Sequence, residues 1–439
     1  MERSPLAQSL LVQLRARGPS GAPELVQALG VSQPTFSRVV REEPAVLVAG
    51  RARATRYAAR RVIPGVEDPL PVYEVTARGS RHLATLCPVR PRGFYVEPAG
   101  GLGGWHDDLP WFLNDLRPSG FLGRRVPLEV PQLGLPADVR YWSGDHVLAW
   151  LRHEGVDTVG NLVVGDTALV RALTAAPVNP VHGTAVEYAA LAERALADGL
   201  PGSSAAGEQP KFLATRSGIP VLVKFSPPVA DRAGARVADL LRAEHLALEA
   251  VAAAGFTAAR SRVVEGDGRV FLEVERFDRT VGGGRSGVVS LLSLDSAFVG
   301  GLRDWTSSVV GLARSRRVPV SAVAATRWLD TFGALIANTD RHGGNLSFRF
   351  EAGVVGELAP VYDMLPMNYF PRAGSIVDLP FPLPEPAPSY AAVQRSALAA
   401  ALGFWGSVAE EVGGSLGGIA AEAGERLSRF GELLERLPG

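Results

Sequence analysis

The stretch Asn338-Thr339-Asp340-Arg341-His342-Gly343-Gly344-Asn345 sets the reading of the whole chain. An apolar run at helical spacing precedes it (Trp328, Leu329, Phe332, Leu335, Ile336), and Leu346-Ser347-Phe348-Arg349-Phe350 follows with strand-like alternation. This pattern predicts a turn at the end of a buried helix, entering a β-hairpin. Asp340 and Asn345 stand five positions apart with two glycines between them. A loop of the form D-x-x-x-x-N turns its carboxylate toward an acceptor hydroxyl and its amide toward a magnesium ion, which is what phosphoryl transfer asks of a protein. The metal needs a second carboxylate. Asp363, in Val361-Tyr362-Asp363-Met364-Leu365, comes eighteen positions after Asn345, past a hairpin-sized gap. Taken singly, each aspartate reads more readily as turn or strand-end chemistry. In this order they predict a base at Asp340 and metal ligands at Asn345 and Asp363.

The chain has only two lysines, Lys211 and Lys224, among its 45 basic residues. An arginine-biased coding background accounts for the scarcity. Against that background a remaining lysine marks a place where the planar guanidinium does not serve, as beside a phosphate. The small-residue loop 202–211 runs into 212–215, a turn at Ser217-Gly218, and 221–225. This predicts a loop leading into a hairpin with Lys224 in its second strand. A lysine between Val223 and Phe225 must meet an anion or reach water. Nucleotide phosphates are such an anion, and loop amides would cover them. The loop does not match G-x-x-x-x-G-K-[ST]. The helix predicted over 235–254 carries Glu244, which either reaches Lys224 or lies solvated, because the helix face is not determined by the sequence. Residues 269–279 read as a strand running into a charged turn, with Glu275, Arg276 and Phe277 as the segment that would present backbone groups to an adenine. Two closing helices are expected at 391–402 and 408–437.

Residues 1–61 form a unit of a different kind. Helices are predicted at 5–17, 22–29 and 33–40, with Ser32 as an N-cap and Pro34 in the first turn. Val46-Leu47-Val48 and Thr55-Arg56-Tyr57 then flank a basic tip. Helix, helix, helix, basic hairpin is the winged helix-turn-helix order. It places Gln33, Thr35, Ser37 and Arg38 at the start of a recognition helix and Arg51 and Arg53 on the wing. The segment has ten arginines against four glutamates, a net charge of +6 in a chain whose total is zero. This local patch points to DNA. A helical docking module with solvated arginines is the alternative.

A length of 439 residues predicts two or three domains: 1–61, a lobe at 62–280 and a mostly helical lobe at 281–439. One cysteine, Cys87, excludes an internal disulfide framework. The absence of a signal-like start or a long apolar run predicts a soluble cytoplasmic protein with no membrane partner. His106, His146, His153 and His182 lack metal-ligand spacing and read as structural.

The motifs, taken together, resemble the HipA-like serine/threonine kinases of bacterial toxin–antitoxin systems. The matching segments are Ser204-Ala-Ala-Gly207-Glu-Gln-Pro-Lys211, Val223-Lys224-Phe225, Val274-Glu-Arg-Phe-Asp-Arg279, 338–345 and Tyr362-Asp363-Met364-Leu365. The resemblance implies an α+β, two-lobed, protein-kinase-like fold, here preceded by the winged helix-turn-helix. It implies ATP and Mg2+ as cofactors. Asp340 would be the base, and Asn345 and Asp363 would hold the metal. Lys224 would hold phosphates, covered by Ala206, Gly207, Gln209 and Lys211. Glu275, Arg276 and Phe277 would contact adenine, with His342 and Tyr362 lining the site. Ser204, beside Ser203, matches the serine that family members autophosphorylate. A protein substrate is implied, a translation component such as an aminoacyl-tRNA synthetase, and the fused N-terminal unit would replace a separate DNA-binding antitoxin. Two other classes stay open: a DNA-binding regulator that senses nucleotide without transfer, and a small-molecule kinase. Oligomeric state is open, a homodimer included.

Overall fold

The computed structural model describes residues 3–97, 101–197, 209–377 and 379–437. Contacts divide the chain into one unit of residues 1–117, 130–175 and 352–354, and a second of 118–129, 176–351 and 355–439.

In the first unit, the Ser4 side chain accepts from Ala7 N–H and starts α1 (Pro5–Arg17), which Gly18 ends at φ +78°. Helices α2 (Ala22–Leu29) and α3 (Gln33–Glu42) follow, the latter capped by Ser32 on Thr35 N–H. Leu10, Leu14, Leu25, Phe36 and Val39 join in one core. Strands β1 (Val46–Ala49) and β2 (Arg56–Ala59) pair antiparallel, Val46 opposite Ala59. Helices α1 and α2 and strand β1 thus begin and end close to expectation, while α3 runs two residues past 40 and β2 two residues past 57.

The boundary expected at residue 61 does not coincide with the division by contacts, for a physical reason. One face of the β1–β2 ribbon, Leu47, Ala49 and Ala58, is buried with Cys87, Val89 and Tyr95. Those residues lie on or beside β4 (Gly79–Pro88) and β5 (Phe94–Glu97) of a five-stranded sheet. Its order is β6 (Gly104–His106), β5, β4, β3 (Leu70–Thr76), β7 (Leu162–Val164). Arg61 N–H donates to Pro88 O and Arg90 N–H to Ala59 O, both at 2.9 Å. Burying a side chain such as Leu47 gives roughly 1.5–3 kcal/mol, so the ribbon is part of this core. Helices α4 (Gly144–Glu154) and α5 (Asp166–Thr174) complete the unit.

The second unit has a sheet half and a helical half. Its sheet runs β11 (Ser261–Gly266), β12 (Arg269–Glu275), β10 (Ile219–Phe225), β9 (Lys211–Arg216), β8 (Pro180–Val181), antiparallel except for β8–β9. Side chains alternate between the faces of a strand. Val221, Val223, Phe225 and Phe271 therefore pack on Tyr188 and Ala192 of α6 (Ala185–Ala197). Val270, Leu272 and Val274 pack on Ala238 and Leu241 of α7 (Arg232–Ala253), which Asp231 caps through Gly234 N–H at 2.7 Å. Lys224 lies opposite Leu272 in register and so shares the α7 face.

The helical half contains α8 (Leu291–Phe298), α9 (Trp305–Arg314), α10 (Ser321–Leu335), α11 (Ala391–Ser407) and α12 (Gly417–Glu435), with a small sheet of β13 (Val288–Ser290), β14 (Ser347–Glu351) and β15 (Val354–Leu358). Trp328 and Phe332 of α10 stack at 5.2 Å. The unit is the two-lobed, kinase-like architecture, in an α+β chain. The helix expected over 408–437 is broken. The chain leaves α11 through a wide turn at Val408–Val412 and reverses at Gly413 and Gly414, with φ +54° and +47°. Ser415 N–H and Oγ then donate to Asp239 Oδ2 of α7 at 2.8 and 2.7 Å. A Cβ at Gly414 would stand 2.7 Å from that oxygen. Among the described residues no helix is long and apolar enough to cross a membrane.

Candidate active site

Strand alternation turns Lys224 toward α7, where Glu244 meets it. The ammonium donates to Glu244 Oε1 and Oε2 at 2.7 and 2.8 Å and to Asp363 Oδ1 at 2.5 Å. Lys224 is 6% exposed and Glu244 1%, so Glu244 faces inward. Burial pulls the ammonium's pKa down, but the Asp363 and Glu244 carboxylates outweigh it and raise it above the ordinary lysine value. Burial pushes the Glu244 carboxyl up, with Lys224 opposing and Asp363 adding. The Asp363 side chain is 32% exposed. Burial acts to raise its carboxyl too, but Lys224 and then Lys211 hold it below the usual range. Lys211 is the cross-strand partner of Lys224 on β9. Asp363 adopts φ +57°, a left-handed conformation that aspartate tolerates better than most residues.

The predicted turn follows α10. Asn338 N–H donates to Gly333 O at 2.8 Å. Asn338 Oδ1 accepts from Asp340 N–H at 3.0 Å, and Asn345 Nδ2 donates to Asp340 O at 2.9 Å. Two asparagine side chains therefore grip the backbone of Asp340, which is an exposed residue. Desolvation by the surrounding chain raises the pKa of the Asp340 carboxyl; His342 opposes, Asp363 adds and Lys224 opposes. With Nδ2 committed, Asn345 has its Oδ1 to offer a cation. His342 is exposed, and its Nδ1 accepts from Gly344 N–H at 3.0 Å while its carbonyl accepts from Trp305 Nε1 at 2.9 Å. Tyr362 donates to Gly344 O at 2.6 Å, lies 2.8 Å from Ser347 Oγ, and sets its ring 5.6 Å from that of Phe277.

The segment from Glu275 to Phe277 is therefore brought beside Tyr362 through the Phe277 ring. Glu275 N–H donates to Arg260 O and Arg276 N–H to Pro220 O, at 2.8 and 3.0 Å. The Glu275 carboxylate turns to Arg216, and the Arg276 guanidinium turns to Asp278. The backbone N–H groups of Glu275 and Arg276 are thus spent within the protein, and Arg276 O accepts from Arg279 N–H and Phe277 O from Arg349 Nη1. Gln209 places Nε2 in a buried position without a partner among the described residues. Ser204, Ala206 and Gly207 lie outside the described residues. Sequence reasoning did not single out Asn338, Trp305 or Ser347. Asn338 carried a local signal, an Asx turn onto the residue two places on; the other two carried none.

In the first unit, Gln33, Ser37 and Arg38 are exposed along the start of α3, and Arg51 and Arg53 at the ribbon tip. Thr35 differs from expectation in being half-buried, with its hydroxyl 3.0 Å from Ser32 Oγ inside the helix cap.

Residues 203–414 match the family described as the HipA-like C-terminal domain, and residues 66–173 match the YjjJ-like toxin middle domain. Toxin YjjJ of Escherichia coli (strain K12) is 39% identical over 444 aligned residues, spanning 98% of this chain and all of that protein. Among solved structures, the Shewanella oneidensis MR-1 toxin–antitoxin complex of HipA, HipB and operator DNA aligns with a TM-score of 0.52. That match has 15% identity and covers 84% of this chain and 99% of the other, which speaks for the fold. With a relative this similar along nearly its whole length, the chain belongs to the family of YjjJ-like toxins and carries the HipA-like C-terminal domain of the kinase-type family its motifs resemble.

Proposed function

We propose that this protein is an ATP-dependent serine/threonine protein kinase whose N-terminal unit binds DNA. The observation that supports it most is the meeting of Lys224, Glu244 and Asp363, beside a loop in which Asn345 and Asp340 are tied together. The donor set fits magnesium. A carboxylate at Asp363 and an amide oxygen at Asn345 are hard oxygen ligands, and among the described residues no group of three or more His, Cys, Asp or Glu forms a ready cage. An ion held by two side chains and otherwise by phosphate and water is typical of magnesium sites in phosphoryl transfer. Magnesium–ATP, when bound, supplies the transferred phosphoryl group and its neutralising charge.

Lys224 holds phosphate oxygens, and Glu244 keeps its ammonium charged and oriented. Asp363 and Asn345 hold the metal. Asp340 accepts the proton of the acceptor hydroxyl, and desolvation, by raising its pKa, strengthens it as a base. Phe277 and Tyr362 form an aromatic wall toward the base, and Lys211, Gln209 and the loop before them cover the phosphates. Ser204 is the proposed self-modification site, since a phosphate there would repel that loop from a phosphate-binding site. The resemblance points to a translation component, such as an aminoacyl-tRNA synthetase, as the protein substrate. The DNA role rests on the exposed arginines of α3 and the ribbon and the local charge of +6.

The deciding experiment is transfer from labelled ATP by the protein alone, beside Asp340→Asn, followed by intact-mass mapping of the product. Transfer by the parent and loss in the variant support the kinase. Binding of magnesium–ATP without transfer makes the protein a nucleotide-sensing regulator. Phosphate gained elsewhere than Ser204 removes that residue's assignment.

A further inference from the structure

The residue after the proposed base is fastened to the helix before it. Arg341 Nε donates to Asp330 Oδ1 of α10 at 2.9 Å, and Arg341 Nη1 donates to the carbonyl of Asn338. One guanidinium therefore joins the helix to the first residue of the loop. Asp330 is itself held: its Oδ2 accepts from Thr306 Oγ1 at 3.1 Å and from Thr306 N–H at 3.4 Å, at the start of α9. The pair is largely shielded, with side-chain exposures of 26% for Arg341 and 15% for Asp330. Gly333 is one turn along from Asp330. A Cβ there would stand 2.5 Å from Arg341 Cδ, so the helix surface is bare where the arginine stem crosses it. This crossing sits in mid-stem, where a side chain pinned at its far end cannot swing aside cheaply.

We propose that Arg341 is the positioning residue of the loop, with Asp330 and Gly333 as its seat and Thr306 holding Asp330. The role follows from what it pins. Asn338 uses its side chain to hold Asp340 N–H, and Arg341 fixes the carbonyl of the same asparagine. Releasing Arg341 frees Asn338, and through it the proposed base. An exposed ion pair would be worth little. A two-sided fork on a shielded seat is a geometric device, and lysine cannot reproduce it, because its ammonium lacks two donors in fixed directions. Displacing a reacting group by about 1 Å can cost on the order of 100-fold in rate.

The rate consequence rests on the kinase reading; the mechanical claim does not. The test uses Arg341→Lys and Gly333→Ala in the full-length protein and measures amide hydrogen exchange. In both variants exchange across 339–345 should rise on the order of tenfold, with β10 and the middle of α10 unchanged. The pair Asp330→Asn and Arg341→Lys together should be no worse than either alone. Phosphate transfer, if the kinase reading holds, should fall ~10- to 100-fold in kcat with KM for ATP nearly unchanged. Unchanged protection of 339–345 in both variants, or a uniform rise across the protein, overturns the proposal. A parent protein that transfers no phosphate sinks the kinase reading, while the exchange data still decide the clamp.

Discussion

Glu244 grips Lys224 through both carboxylate oxygens, at 2.7 and 2.8 Å, across twenty positions of sequence. This contact ties the central strand of the sheet to α7, and it sets the first expectation. Glu244→Ala removes a charge-assisted partner from a buried ammonium, which keeps Asp363. The loss should be about 2 kcal/mol of unfolding free energy, since hydrogen bonds to charged groups contribute about 1.5–3 kcal/mol. Urea unfolding measures it, and a loss near zero would mean the contact does not persist in solution.

The same cluster gives a pH dependence whose sign can be worked out. In Lys224→Met, Glu244 loses the cation that lowers its pKa, so its folded value rises further above the unfolded one. A carboxyl raised in the folded state weighs against folding above its unfolded pKa and is relieved as pH falls through the folded value. Asp363, depressed in the parent by Lys224 and Lys211 against the opposing effect of burial, contributes stability that is lost as pH falls through its folded value. Relief of Glu244 narrows the gap between parent and variant as pH falls toward 4, while the loss at Asp363 begins only below the ordinary aspartate value. Thermal midpoints of the two proteins from pH 7 to pH 4 should therefore converge; divergence would contradict the assignment.

As the proposed base, Asp340 could act only when ionised. Its carboxyl is raised by desolvation, so the acid limb of a kcat profile should have its midpoint above the ordinary aspartate value. Asp340→Asn should abolish the limb along with the activity. A limb that survives in the variant belongs to another group.

Arg51 and Arg53 stand exposed at the tip of the β1–β2 ribbon. Replacing both with alanine should weaken DNA binding whatever the sequence. It should also flatten the plot of log K against log salt by about 0.9 for each phosphate no longer neutralised. A slope unchanged by the double replacement would place the DNA-facing charges elsewhere.

Much of the candidate site was legible because the proposed chemistry depends on spacing. Asp340, Asn345 and Asp363 follow in the order a magnesium-holding loop requires, and Lys224 stood out against an arginine background. Glu244 was not assignable, because a long helix offers several faces and only packing on Val270, Leu272 and Val274 chooses one. The break at Gly413 and Gly414 was hidden for a similar reason: its cause is Asp239, far away in sequence. Trp305 and Asp330 hold the loop from two other helices, and neither helix carries a local pattern that announces the contact. Local propensity named the elements; what they close upon required coordinates.

The buried inner face of the β1–β2 ribbon bears on how the molecule can be dissected. A fragment cut after residue 61 would present Leu47, Ala49 and Ala58 to water on a short ribbon with open edges, an invitation to self-association. Footprinting or titration with such a fragment would report on clumping as much as on recognition. A piece that retains the five-stranded sheet, running to about residue 175, keeps that surface sheathed and is the smaller unit in which nucleic-acid affinity can be weighed.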